Sequence, residues 1–244
     1  MRSLHPILAG LTLVTLLAAP AWSDPIIDEH EEMPTEEADG EHTPYDPNAI
    51  LTIGLIQSPV TRDDEGIQHR SPFEGKEVMI QGLVHSRILL NRGEGRRAHG
   101  FYLQNTPETA DADPDTSDGL FVWTGNDRVI RSEGGDFLPH VGDELVLKGT
   151  VREVNGLTQL GSAELVRIVR RNAPVADLLK AIEIDPPDTP DEAGRYWERR
   201  EGMRCTLPPG CVLTSGRKVF ERTADAEVWV MHPKRDAALR PDPY

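Results

Sequence analysis

The chain has 244 residues, 41 acidic and 26 basic side chains, two cysteines and 5% aromatic residues. That length holds one or two domains with a real core, and its 41 glycines and prolines exclude neither but rule out collagen-like and low-complexity classes. Two cysteines make no disulfide-dense scaffold and no four-cysteine zinc site, and a net charge of -15 opposes indiscriminate binding to phosphate backbones.

Residues 1–23 read as a signal peptide. Arg2 supplies the positive end, and Ile7 to Ala19 is an uncharged, mostly apolar run of 13 residues. Ala21-Trp22-Ser23 then places small residues at the cleavage positions before Asp24. As a helix such a run spans about 20 Å, short of the roughly 30 Å hydrocarbon core. Cleavage and a secreted or periplasmic location are therefore expected, with no membrane attachment afterwards. Residues 24–49 form an acidic linker: ten acidic side chains, four prolines and no Lys or Arg lie between 24 and 48. So few apolar groups cannot offset ordering entropy, and disorder is expected there. Beyond it the chain carries 25 basic and 31 acidic residues, so a local basic face is compatible with the total charge.

From Ile50 onward the pattern is β. Val78, Ile80, Gly82 and Val84 alternate along one candidate strand. Phe101-Tyr102-Leu103-Gln104 and Leu120-Phe121-Val122-Trp123-Thr124 are short aromatic and β-branched runs. Leu145 to Val154 repeats the strand with an internal glycine, Gly149, and Asn155-Gly156 signals a two-residue hairpin into Leu157-Thr158-Gln159-Leu160. Ala163 to Val169 adds another strand. Five or six short strands, two with a central glycine able to turn a corner, predict an OB-fold-like small barrel over 50–172. The fold class is all-β.

Residues 173–194 form a Pro-rich connector with a short helix between Pro174 and Ala181, broken by Asp185-Pro-Pro-Asp-Thr-Pro190. Residues 195–244 return to β character as a shorter C-terminal appendage, with strands expected at 203–207, 211–214, 218–220 and 226–231. Glu201-Gly202-Met203 echoes Glu74-Gly75-Lys76, a hint of an internal repeat. Cys205 and Cys211 flank Thr-Leu-Pro-Pro-Gly, and in an exported chain a disulfide between them is expected.

Two constellations could bind ligands. Asp111, Asp113, Asp115 and Asp118 crowd one loop with Glu108, and hard oxygen donors at that density suit Ca2+, although the EF-hand glutamate position holds Val122. Arg87, Arg92, Arg96 and Arg97 cluster before Tyr102, with Trp123 on a neighbouring strand, which offers cations for phosphate and rings for stacking on DNA bases. No catalytic set is apparent. His69, His85, His99, His140 and His232 are scattered, and neither a Gly-x-Ser-x-Gly elbow nor a phosphate loop with its lysine is present.

One stretch resembles a known family. Ile56-Gln57, His69-Arg70-Ser71-Pro72-Phe73-Glu74-Gly75-Lys76-Glu77-Val78 and Gln81-Gly82-Leu83-Val84 are similar to the N-terminal OB-fold-like module of bacterial extracellular nucleases. So are Gly100 to Gln104, Asp113 to Val122, Val141-Gly142-Asp143, the hairpin at 151–160, and Trp197 to Met203. In that family the module precedes a metal-dependent catalytic domain of the endonuclease/exonuclease/phosphatase class. That domain's Ser-Asp-His motif is missing here, and the only Asp-x-Asn, Asp46-Pro47-Asn48, lies in the acidic linker. The resemblance therefore implies an exported, non-catalytic accessory module, with DNA or a nuclease catalytic domain or other partner protein as its partner. A calcium-stabilised structural or protein-interaction module without a nucleic-acid role is the alternative, and a metal-dependent nuclease or phosphodiesterase a third.

Overall fold

The computed structural model describes residues 48–58, 70–91 and 97–213, together with Asp46 and the short stretches 60–61, 67–68, 218–219, 226–227 and 230–232. The stretch expected to be a signal peptide and nearly all of the expected acidic linker lie outside the described residues.

Alternating apolar side chains need a common interior, and the strands close around one. After β1 (Ile50–Leu51) come β2 (Glu77–Asn91), β3 (Arg97–Gln104), β4 (Gly119–Gly125), β5 (Ile130–Ser132), β6 (Gly135–Phe137), β7 (Glu144–Val154) and β8 (Leu157–Arg170). Antiparallel pairing joins β2 to β3, β3 to β4, β7 to β8 and β2 to β7. Two parallel pairs, Gln159 with Phe121 and Leu160 with Val122, join β8 to β4. The ring β2–β3–β4–β8–β7 is thereby complete. The short β5–β6 hairpin is inserted between β4 and β7 and pairs in parallel with the far end of β8. The chain is all-β in its body, as its sequence pattern predicts.

Inside the ring sit Val78, Ile80, Val84, Phe101, Leu103, Leu120, Val122, Leu145, Leu147, Val151 and Leu160, all but fully buried. These are the alternating positions. Asn155 and Gly156 both adopt positive φ, +55° and +75°, and make the two-residue turn between β7 and β8. Gly149 belongs where β7 crosses β8, since a Cβ there would lie 2.8 Å from the Gly161 carbonyl oxygen. The two strands read separately at 157–160 and 163–169 are one strand, β8, whose register against β7 shifts between Gly161 and Glu164.

Two helices depart from the β reading. Helix α1 (Ile53–Ile56) starts at Thr52, whose Oγ1 accepts from the Leu55 N–H at 3.2 Å. It sends Ile53 and Ile56 into the barrel core, and Asn105 Oδ1 accepts from the Ile53 N–H at 2.7 Å. In the connector, α2 (Val175–Leu178) matches the expected short helix, and β9 (Ile182–Glu183) follows. Helix α3 (Pro190–Glu198) then occupies a stretch read as a breaker and the opening of the β-rich appendage. Proline at the first helical position, preceded by Thr189 and followed by Glu192, favours a helix start there. Thr189 Oγ1 donates to the Glu192 carboxylate at 2.6 Å.

The C-terminal appendage is built of two-residue ladders. β10 (Cys205–Thr206) pairs in parallel with β9, and Val212–Leu213 pairs with Val230–Met231. Among the described residues no helix is long and apolar enough to cross a membrane.

Core burial predicts a clear contrast between two truncations. Leu120→Ala should cost about 2–5 kcal/mol in urea unfolding, while Val166→Ala, on the outside of β8 and half-exposed, should cost under about 0.5 kcal/mol.

Candidate functional site

Strand alternation sorts the aromatic residues. Phe101, Leu103, Leu120 and Val122 face inward, so Tyr102, Phe121 and Trp123 face outward from β3 and β4. Tyr102 stands directly opposite Phe121, with ring centroids 5.0 Å apart, and Phe121 meets Trp123 edge-on at 6.4 Å. A register shift between Val84 and Ser86 turns His85 onto the same side, where it stacks on Tyr102 at 6.0 Å. Four rings thus run across the outer face of β2, β3 and β4. Contacts of this kind are worth about 0.5–1.5 kcal/mol each beyond the area they bury.

Of the expected cations, Arg87 does not join them. Arg87 is opposite Phe101, and opposite residues share a side of the sheet, so Arg87 emerges away from Tyr102 and is exposed. Arg97 opens β3 opposite Asn91, and Arg92 and Arg96 lie outside the described residues. Among the described residues of that grouping, Tyr102 and Trp123 share a face, through Phe121.

Nor is the aromatic face open. Residues 200–204, which follow α3, cross over it as a strap. Gly202 O accepts from His85 Nε2 at 2.9 Å, and the Arg204 N–H donates to Gln104 Oε1 at 2.9 Å. Ser117 Oγ donates to Glu201 O at 2.6 Å. The backbones meet at Gly119, where a Cβ would fall 2.3 Å from the Gly202 carbonyl carbon, so only glycine admits this approach. Phe121 is left 3% exposed. Because a carbonyl only accepts, His85 carries its proton on Nε2. Burial pulls its pKa down to about 4, against the Gly202 hydrogen bond and with help from Arg204. Burial, and secondarily Glu201, pushes the Tyr102 hydroxyl up to about 12.

Carboxyl groups gather beneath the strap. Glu201 Oε1 accepts from Gln57 Nε2 and from the Thr158 N–H, each at 3.1 Å. Gln57 Nε2 also donates to Gly119 O at 2.7 Å, tying the segment after α1 to the start of β4. Glu153 Oε1 accepts from the Ser71 N–H and from Thr158 Oγ1, each at 2.8 Å. Burial pushes Glu201 up to about 8, with Glu198 and Glu153 adding to it against its two hydrogen bonds. Glu198 is raised to about 7 by burial and by Glu153, and Glu153 is itself raised by burial. Asp118 is raised to about 6 by burial and by Asp111. At neutral pH Glu201 is chiefly protonated. None of the groups Glu153, Glu198, Glu201 and His85 is legible as a site in sequence, because they are scattered and become neighbours only when the strap is laid down.

The acidic loop does not converge. Asp111 Oδ1 accepts from the Asp113 N–H at 3.1 Å and Asp113 Oδ1 from the Asp115 N–H at 2.9 Å, so these side chains shape the loop. Asp115 pairs with Arg199 of the α3 C-terminus at 2.9 Å. Among the described residues no three carboxylate, imidazole or thiol side chains are grouped as a metal would need. Beside this loop lies a cleft of about 430 Å³, lined by Arg70, Arg195 and Arg199 and by Ser58, Ser71, Thr116 and Thr158. Asp113, Asp115 and Glu198 also line it. This cation set went unnoticed in sequence because its arginines come from positions 70 and 195–199, on either side of the barrel strands. The disulfide expected between Cys205 and Cys211 is not formed, and both residues carry thiols. Parallel pairing to β9 sets Cys205 in place, and burial pushes its thiol up. The echo between 74–76 and 201–203 marks two glycine turns at positive φ, +79° and +67°.

The raised carboxyls make stability fall with rising pH. Below about pH 4.5 folded and unfolded chains both hold these protons; above it the unfolded chain releases them while the folded chain retains them up to about pH 8 for Glu201. His85 acts oppositely, opposing folding as pH drops from 6.5 to about 4. Between pH 6.5 and 8 only the decline remains from these groups, about 2 kcal/mol from Glu201 alone. Thermal unfolding at these two pH values should show it, and Glu201→Gln should remove most of the difference.

The chain matches no family model, no curated protein and no solved structure.

Proposed function

We propose that the protein is an exported, non-catalytic binding module on an OB-like barrel, and that its ligand is a DNA strand. The observation that carries this reading is the cleft beside β8, a space of about 430 Å³ whose lining brings Arg70, Arg195 and Arg199 together with Ser58, Ser71, Thr116 and Thr158, alongside Asp113, Asp115 and Glu198. Guanidinium forks and hydroxyl donors are the groups that hold phosphate oxygens. The cleft adjoins the loop entering the third ring strand and the hairpin joining the last two, and OB-folds take oligonucleotides across their second and third strands and neighbouring loops. The ring of five strands with its parallel closure supports the OB-like assignment.

The similarity of residues 50–232 to the front module of extracellular nucleases agrees with this ligand, and the leader-like run at 7–19 supports export. A binding role is supported by the engagement of the carboxyls near the cleft: Glu153 and Glu201 accept from backbone, amide and hydroxyl donors.

Fluorescence anisotropy with a labelled oligothymidylate tests it. Affinity should fall with salt, with a log–log slope of about 0.7 per phosphate neutralised. Arg195→Ala with Arg199→Ala should weaken binding about tenfold or more and flatten that slope, while Arg87→Ala should leave both unchanged. Binding that ignores salt and the cleft arginines would overturn the proposal.

A further inference from the structure

We propose that residues 200–204 are a displaceable strap on the ligand face of the barrel, released when Glu201 ionises, and that the unpaired bases of a DNA strand take its place. The choice of occupant rests on the DNA reading above; the strap itself does not.

The strap covers the one face of the barrel whose side chains form a continuous aromatic surface, His85 to Trp123. It is not part of the ring, because its contacts to that face are hydrogen bonds and backbone packing at Gly119 rather than a strand ladder. Lifting it would uncover a donor at His85 Nε2, an acceptor at Gln104 Oε1 and the Ser117 hydroxyl beside the rings. A nucleobase presents that same combination, a flat π face with donors and acceptors on its edge. The arginine-lined cleft adjoins the strap, since Gln57 and Thr158 line it and also donate to Glu201.

Glu201 is the strap's deepest anchor and the group that makes its docking conditional. It is lodged against Gln57 after α1, Thr158 of β8, Glu153 of β7, Glu198 of α3 and Tyr102 of β3. On the remaining neighbours the titratable groups are His85 of β2 and Asp118 of the loop, and the cleft that Gln57, Thr158 and Glu198 line also holds Arg70, Arg195 and Arg199. The strap's own cations turn elsewhere: Arg200 lies over the Tyr196 ring at 3.7 Å, and Arg204 Nη1 donates to Leu179 O at 2.6 Å. Charge on Glu201 would face two carboxyl groups and no cation that contacts it among the described residues. The docked strap therefore favours the proton, and docking weakens as pH rises toward the docked pKa near 8. Linkage gives about a tenfold loss in the ratio of docked to released strap for each unit rise in pH up to that value.

Amide hydrogen exchange on the full chain at pH 6 and pH 9, corrected for intrinsic rates, reads the strap directly. Protection at 200–204 should fall at least tenfold more than in β7, and Glu201→Gln should hold it. Gly119→Ala, whose Cβ collides with Gly202, should leave the strap unprotected at both pH values with the ring intact. Labelled oligothymidylate should bind the wild type about tenfold more tightly at pH 9, Glu201→Gln weakly throughout, and Gly119→Ala tightly throughout. Equal protection at both pH values, or a Glu201→Gln chain that loses it like the wild type, would overturn the strap whatever DNA does. A released strap with no oligothymidylate binding would instead overturn DNA as the ligand in both readings.

Discussion

A sheet of five strands ordinarily leaves two edges with unpaired N–H and C=O groups, and such edges invite further pairing. Here the parallel contact of β8 with β4, at Gln159–Phe121 and Leu160–Val122, removes both edges of the ring. Closure decides what is inside. Once the ring is shut, Phe101, Leu103, Leu120 and Val122 have a single interior to fill, and Tyr102, Phe121 and Trp123 are turned outward together. The register of that contact therefore sets both the core and the aromatic face.

Turning three large rings outward creates a second problem, because that much apolar surface is costly in water. The chain covers it with its own residues 200–204, brought there by α3. Gly119 and Gly202 let the two backbones touch, and the strap's polar groups find partners in His85, Gln104, Ser117, Gln57 and Thr158. Burial of Glu201 accompanies that arrangement. Burial beside Glu153 and Glu198 favours the protonated carboxyl, so docking of the cover and retention of that proton are linked.

The other acidic groups follow a different logic. In the loop from Asp111 to Asp118, exposed carboxylates accept backbone N–H groups or meet Arg199, and they remain in water where charge is inexpensive. Those that shape the loop thus sit in water beside the arginine cleft, while those gathered around Glu201 are partly buried. Field and burial divide one acidic composition into two kinds of site.

Alternation at Val78, Ile80 and Val84, the aromatic runs at 101–104 and 120–124, and Asn155-Gly156 were enough to read a β-barrel from the sequence, because strand period and turn chemistry are local properties. The Thr189-Pro190 helix start was equally local and could have been read, but the neighbouring prolines masked it. Tyr102 and Trp123 were legible as rings on adjacent strands. That they would be covered, that Arg87 would point away, and that Arg70 would meet Arg195 and Arg199 depended on strand register and on a chain crossing from more than seventy residues beyond β4. Periodicity along one strand says which residues share a side; only packing between distant segments decides what each side touches, and with it which carboxyls keep their protons.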